Sequence, residues 1–419
     1  MAKLLIDGGR PLRGTVRISG RKNSAVAILP AALLPQGASR LENLPRITDV
    51  EVFLSILRQM GAEATWREDG SIEVNAERLY RVPVSFELTR RLRASYYLLG
   101  ALLARQGRAE VALPGGCDLG PRPIDQHLKG FRALGAEVSL QRGTVKVQAR
   151  QLKGARIYFD VVSVGATINV LLAATAAEGT TVLENAAREP HVVDLANYLN
   201  ACGAHIRGAG TDVIKVQGGR PLRAAAHAII PDEIEAATFM TAVAAVRGDV
   251  TLENVIPTHL EPVSAKLKEA GALVLENGDS VRVISTDRPL PLQLKTMPYP
   301  GFPTDAMPPM TALLSIASGT SLVSEGVWEN RFAHVNELRK MGARIRVEGR
   351  TAVIEGVDSL QAAPVEARDL RAAAALMVAG CIAEGQTEIF GVEHLDRGYE
   401  GTEEKLRALG VRVQRLREE

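Results

Sequence analysis

Residues 179–205 read GTTVLENAAREPHVVDLANYLNACGAH, and this phrase returns along the whole chain. It runs from a glycine through a short apolar strand, an Asn or Gly turn and an amphipathic helix to a closing Gly-Ala. Copies open at Gly37, Gly107, Gly179, Gly248, Gly319 and Gly385, at intervals of 70, 72, 69, 71 and 66 residues. A period this regular is the signature of a repeat architecture. Working outward, each copy follows a stretch that is apolar nearly all round, such as SAVAILPAALL, GATINVLLAATAA or DLRAAAALMVAGCIA. Those stretches predict interior helices, and the amphipathic helix inside the phrase predicts a surface one. After the closing Gly-Ala come alternating segments such as VSLQRGTVKVQA and IRVEGRTAVIEG, which read as hairpins with Gly turns. One unit is therefore strand, buried helix, strand, outer helix, strand, strand. Six such units predict an α/β protein with its strands outside bundled helices, three units to a domain.

Length points the same way, because 419 residues exceed one ordinary core and favour two domains of about 200 residues each. A net charge of +2 gives no general field for nucleic acid or a membrane surface, so any anion site must be built locally. Aromatic residues are only 4% of the chain, too few for a base-stacking surface. Three unpaired cysteines, Cys117, Cys202 and Cys381, indicate a reducing compartment. The start MAKLLIDGGRPLRG lacks the apolar core of a signal peptide and no long apolar run follows, so a cytoplasmic protein is expected.

Five copies span 23 to 25 residues from opening to closing glycine, whereas Gly107 to Gly135 spans 28. The extra residues fall at PGGCDLG, and an addition to one copy of a repeat commonly marks a functional loop. That raises Cys117 above a passive loop thiol, with Arg122 placed to favour thiolate or to grip an anion. No histidine stands nearby to make it a protease-type nucleophile, so general acid is its more natural role. Cys202 and Cys381 fall in helical parts of their units and are assigned to packing. Polar residues collect where the buried helices begin: Lys22, Asn23 and Ser24; Arg90, Arg91 and Arg93; Ser163, Gly165 and Thr167; Asp232, Glu233 and Glu235; Thr304 and Asp305; Asp369 and Arg371. Helix N-termini attract anions. Ser24, Thr167, Asp232 and Glu233 read as ordinary caps. Arginine opposes the helix dipole there, so Arg93 and Arg371 read as functional, as does Lys22 beside apolar sequence. His127 reads equally as a ligand contact or a surface-helix residue. Walker and dinucleotide fingerprints are absent, and so is metal-ligand spacing, so no cofactor and no metal are expected.

The runs SGRKNS, LRAS, PGGCDLGPRPID, VSVGAT, ENAAREP, FPTD, ENRF, DLRA and HLDRGYE stand in the order found in the UDP-N-acetylglucosamine 1-carboxyvinyltransferases, and the chain resembles that family end to end. The resemblance implies a two-domain inside-out α/β barrel built of six βαβαββ units, with the active site between the domains. One domain would join residues 1–21 to 230–419 and the other would take 22–229. It also implies the reaction: the sugar 3′-hydroxyl adds to C2 of phosphoenolpyruvate, C3 is protonated, and phosphate leaves. By the same resemblance Lys22, Arg122 and Arg397 hold the phosphate, and Arg93 and Arg371 complete the anion site. Cys117 serves as acid and adduct-forming thiol. Asp305 takes the hydroxyl proton and Asn23 holds the sugar. Pro123, Ile124, Asp125 and His127 match the uridine-binding run, Ser163, Val164 and Gly165 the pyrophosphate turn, and Val327 a further sugar-nucleotide contact. Arg331 matches an arginine needed for closure or catalysis. Some members carry a lysine where this chain has Val161, which shifts diphosphate binding toward backbone N–H groups and arginines. The implied partners are the two small substrates, with no nucleic acid, no membrane insertion and a monomeric protein.

Three other readings compete. A shikimate 3-phosphate enzyme of the same fold lacks the inserted cysteine loop. A sugar-nucleotide-binding regulator would not need Cys117, Asp305, Lys22 and Arg397 together. An RNA-end-processing enzyme of related architecture calls for a catalytic histidine and a basic surface.

Overall fold

A computed structural model describes residues 2–80, 84, 86–112 and 124–417. Among the described residues, six helices fill the interior: Lys22–Ala31, Tyr97–Gln106, Val164–Ala174, Glu233–Ala245, Met307–Leu314 and Leu370–Ile382. They are the apolar stretches of the sequence, and every residue of Glu233–Ala245 is buried. The outer helices lie between them in the chain and bury one face only. Thr48–Gln59, for instance, covers Val50, Phe53, Leu54 and Leu57 and leaves Glu51 exposed. The predicted layering of helices within and strands without holds in each unit.

The repeat's signature residues have a structural cause. Where each outer helix ends, the Ala or Val after the closing glycine donates back to a carbonyl of the last turn: Ala62 to Leu57 at 3.0 Å, Ala204 to Leu199 at 2.9 Å and Val411 to Leu406 at 3.0 Å. This is a Schellman closure, and it needs a left-handed residue before it; Gly61 supplies one at φ 91. The turn asparagines Asn43, Asn185 and Asn254 are also left-handed, at φ 54, 56 and 57. Each side-chain amide donates to a carbonyl of the neighbouring strand end, Ile229 at 2.7 Å, Phe159 at 2.9 Å and Ile18 at 2.6 Å. Asparagine both tolerates that backbone and satisfies a carbonyl left over beyond the ladder.

Among the described residues six separate sheets result, five of four strands and one of three, and none closes into a barrel. In each four-stranded sheet the leading strand runs parallel to its neighbour and the other pairs are antiparallel. Val84 donates to Glu110 at 3.3 Å, beside the three-stranded sheet. Two leading strands come from distant chain. Arg13–Arg17 pairs with Asp249–Glu253, and Ala226–Ala228 pairs with Ala38–Glu42. The N-terminal strand Ala2–Asp7 lies between Gln386–Phe390 and Arg412–Arg417. A linear reading of the period does not show these exchanges.

The described residues form two compact units, one taking 2–19 and 231–417, the other those between Gly20 and Ile230. Among the described residues each has a single apolar core. In the first, Ser19 is anchored: its N–H donates to buried Glu235 at 2.8 Å, and Lys405 reaches its hydroxyl at 2.7 Å. Burial pushes the Glu235 carboxyl up to about 7, against the pull of Lys405. Cys202 and Cys381 are buried as packing residues. Among the described residues no helix is long and apolar enough to cross a membrane.

Candidate active site

The unit centred on residues 20–230 carries two groups of site residues. Lys22 is the first residue of its helix, and its ammonium lies 2.7 Å from the Asp49 carboxylate on the adjacent outer helix. Asp49 is buried, so this ion pair fixes where the charge sits. Asn23 follows, half-buried. The second group is built on the Val164–Ala174 helix. Ser163 caps it, the hydroxyl accepting from Ala166 N at 3.3 Å and the carbonyl from Thr167 N at 2.9 Å. The N–H groups of Val164 and Gly165 then stand at the open end of the helix dipole, an arrangement suited to a phosphate oxygen. His127 packs on this turn, so close that a Cβ on Gly165 would lie 3.0 Å from its Cε1 and Nε2. Burial pushes the imidazole down to about 4, with Asp125 acting the other way. The surface-helix reading of His127 is thereby corrected: the side chain is turned inward and only 6% exposed. Ile124 immediately precedes the Asp125–Ala133 helix, and Asp125 at its start is exposed. Arg93 opens a short 3-10 turn, Arg93–Tyr96. Cys117, Arg122 and Pro123 lie outside the described residues.

The other unit brings three predicted residues into direct contact. Asp305 sits in the 3-10 turn Thr304–Ala306, and its two carboxylate oxygens are taken by different guanidiniums. One meets Arg331 and the other Arg371, the latter at 2.9 Å. Both arginines are buried, and Arg331 Nε has no hydrogen-bond partner among the described residues. Burial works against the charge of Arg371, but Asp305 and Tyr399 outweigh it and hold the guanidinium above its ordinary value. The Tyr399 hydroxyl is 3.4 Å from Arg371 Nη1 and 2.8 Å from Thr238 Oγ1. Arg397 ends the 3-10 turn Val392–Arg397 beside the same helix start, for a Cβ on Gly398 would lie 2.6 Å from Leu370 Cδ2. Val327 is reached through Glu325. That buried carboxylate accepts from Val327 N at 2.6 Å, Trp328 N at 3.0 Å and Thr304 Oγ1 at 2.8 Å, tying the Val327 turn to the Asp305 turn.

Of the residues read as caps, Asp232 does cap, accepting from Ile234 N at 2.8 Å and Glu235 N at 3.1 Å. Thr167 instead lies inside its helix and accepts from Ala187 N at 3.0 Å, and Ser24 is likewise helical and buried. Asp49, Glu325 and Asn169 carry no motif in the sequence, and Tyr399 stands only within the HLDRGYE run. Of these, Asn169 has a local signal, an amide in the middle of a mostly apolar helix.

Burial is expected to make this protein acid-sensitive through His127 and His334, both pushed down to about 4. At His334 the Asp369 charge and a hydrogen bond with the Arg331 backbone oppose that shift, and the Arg331 charge adds to it. A folded pKa below the unfolded value of about 6.5 gives stability that is present above 6.5 and is lost as pH falls toward 4. Each histidine is expected to cost about 2 kcal/mol between pH 7 and pH 5. Denaturant titrations at the two pH values should show that loss reduced by about 2 kcal/mol in His334→Gln. An equal loss in variant and wild type would refute it.

The model of the EPSP synthase (3-phosphoshikimate 1-carboxyvinyltransferase) family matches residues 6–406. The solved structure of the enolpyruvyl transferase NikO from Streptomyces tendae superposes with a TM-score of 0.89 at 29% identity, over 99% of both chains. The family match over nearly the whole chain thus defines the class, a transferase of carboxyvinyl groups. UDP-N-acetylglucosamine 1-carboxyvinyltransferase 3 from Symbiobacterium thermophilum is 54% identical over 100% of this chain and 99% of its own. UDP-N-acetylglucosamine 1-carboxyvinyltransferase from Clostridium botulinum is 56% identical over 99% of this chain and 100% of its own. The chain belongs to the UDP-N-acetylglucosamine 1-carboxyvinyltransferase family within that class.

Proposed function

We infer that the protein transfers the enolpyruvyl group of phosphoenolpyruvate to the 3′-hydroxyl of UDP-N-acetylglucosamine and releases phosphate, the first committed step of peptidoglycan synthesis. Full-length identity above one half to relatives of that name carries the reading. The carboxylate set between two buried guanidiniums supports it. The chemistry asks for a base on the hydroxyl, an acid for the vinyl carbon and positive charge for phosphate and carboxylate.

Asp305 takes the hydroxyl proton as the oxygen bonds to C2. Cys117 gives a proton to C3, and the tetrahedral adduct then expels phosphate with the C–O bond electrons while a proton leaves C3 to restore the double bond. Lys22, Arg122 and Arg397 receive the phosphate, and Arg93 and Arg371 complete the anion site. Asn23 holds the sugar. Ser163, Val164 and Gly165 take the diphosphate through backbone N–H groups, with no lysine at Val161, and Pro123, Ile124, Asp125 and His127 take the uridine. Val327 adds a sugar-nucleotide contact, and Arg331 orients Asp305. No cofactor enters this scheme. Residues 1–21 with 230–419 and residues 22–229 act as the two domains of a cytoplasmic monomer whose product supplies the wall for growth and division. The thiol makes it a target for fosfomycin-type epoxides.

Phosphate release from phosphoenolpyruvate is expected with UDP-N-acetylglucosamine as acceptor and to stay at background with shikimate 3-phosphate. The reverse preference would overturn the assignment.

A further inference from the structure

Asn169 is an amide with no solvent exposure inside the Val164–Ala174 helix, and its hydrogen bonds join three elements. Its Oδ1 accepts from Gly100 N at 2.8 Å. Its Nδ2 lies 2.8 Å from the Tyr96 carbonyl and 2.9 Å from His127 Nδ1. These contacts admit one arrangement of protons. A backbone N–H only donates, so the amide oxygen must face Gly100, and the amide nitrogen must face Tyr96 and His127. An amide nitrogen only donates, so His127 Nδ1 must accept and the ring proton must sit on Nε2. Nε2, together with Cε1, is the edge of the ring that lies against Gly165, at the start of the same helix. Gly100 allows the approach, since a Cβ there would stand 2.1 Å from the Asn169 carbonyl oxygen.

We propose that Asn169 is a positioning residue for the sugar-nucleotide site, holding His127 as a neutral Nε2–H donor beside the Ser163–Gly165 turn. This rests on the assignment of His127 and that turn to the nucleotide. Through the Tyr96 carbonyl the same amide also braces the 3-10 turn that Arg93 opens. Protonating Nδ1 would set N–H against N–H, which adds to the burial that already disfavours the cation. Among the described residues, the other titratable groups facing the ring are Asp125, on its own helix, and Tyr96, whose ring centroid is 6.2 Å away. The site thereby presents a donor whose charge does not change through the neutral range.

The test begins with the intact enzyme labelled with 15N-histidine, the His127 signal being identified among seven histidines by its loss in His127→Gln. A single Nε2–H tautomer that does not titrate between about pH 5.5 and 8 is expected. An Nδ1–H tautomer, a mixture, or an imidazolium at pH 6.5 overturns the proposal without any need for a variant. In Asn169→Asp the carboxylate faces Nδ1, so the signal should move to Nδ1–H or the cation. The KM for UDP-N-acetylglucosamine should then rise roughly tenfold while kcat changes less than about threefold. Equal changes in kcat and in the KM of phosphoenolpyruvate would mark a merely structural role and count against it. A locked Nε2–H signal that UDP-N-acetylglucosamine does not shift would leave the hold of Asn169 standing and overturn the assignment of His127 to the nucleotide.

Discussion

Asp305→Asn is expected to lower turnover by roughly 10²–10⁴-fold, the range that a positioned general base contributes, while leaving the protein folded. The expectation comes from what holds Asp305. Its two oxygens are divided between Arg331 and Arg371, so the carboxylate is fixed in orientation by charge on both sides. Asparagine has nearly the same shape and keeps one acceptor, but it cannot take a proton from a hydroxyl. Asp305→Ala should behave differently. It leaves two buried guanidiniums facing each other with their shared counter-charge gone, and loss of one partner from a buried pair costs about 3–5 kcal/mol. The alanine variant should therefore lose stability as well as turnover, and the asparagine variant mainly turnover. Single-turnover phosphate release beside a denaturant titration of each variant separates the two effects. Wild-type turnover in Asp305→Asn would remove Asp305 from the chemistry.

The same pair of arginines shows what could be read from the sequence and what could not. Arg371 was legible because its charge opposes the dipole at the start of a core helix, a local conflict that calls for a reason. The reason is Asp305, which lies 66 positions away in the chain. Nothing local pairs the two, and only the packing of the Leu370–Ile382 helix beside the Met307–Leu314 helix brings them together. The repeat was legible for the opposite cause. Asn43, Asn185 and Asn254 recur because a left-handed turn and a strand-end carbonyl make the same demand in three units. The repeat period alone hid the exchange of Arg13–Arg17 and Ala226–Ala228 between repeats, since a strand's own residues do not say which parallel neighbour it will find. Glu325 and Asp49 were hidden too, because acidic residues near helix starts and turns are ordinary and their burial is a tertiary outcome.

Alkylation by an epoxide phosphonate is expected to mark one of the three thiols in preference to the others by orders of magnitude. Cys202 and Cys381 are each 2% exposed, and both thiols are shifted upward by burial, Cys381 to about 12. At pH 8 a thiol with that value is about 10⁻⁴ thiolate, against roughly a quarter for an ordinary exposed one. Reactivity follows thiolate and access together, so labelling reports Cys117 alone, the thiol on the inserted PGGCDLG run. UDP-N-acetylglucosamine should accelerate that labelling if the sugar nucleotide helps to build the anion site that receives the phosphonate. Cys117→Asp separates the thiol's two roles. A carboxylic acid can still deliver a proton to C3, so turnover should persist, but no adduct can form. A peptide map showing Cys202 or Cys381 labelled as fast as Cys117 would contradict their burial. A Cys117→Asp protein that is folded, binds UDP-N-acetylglucosamine and yet releases no phosphate would mean that sulfur does more than donate.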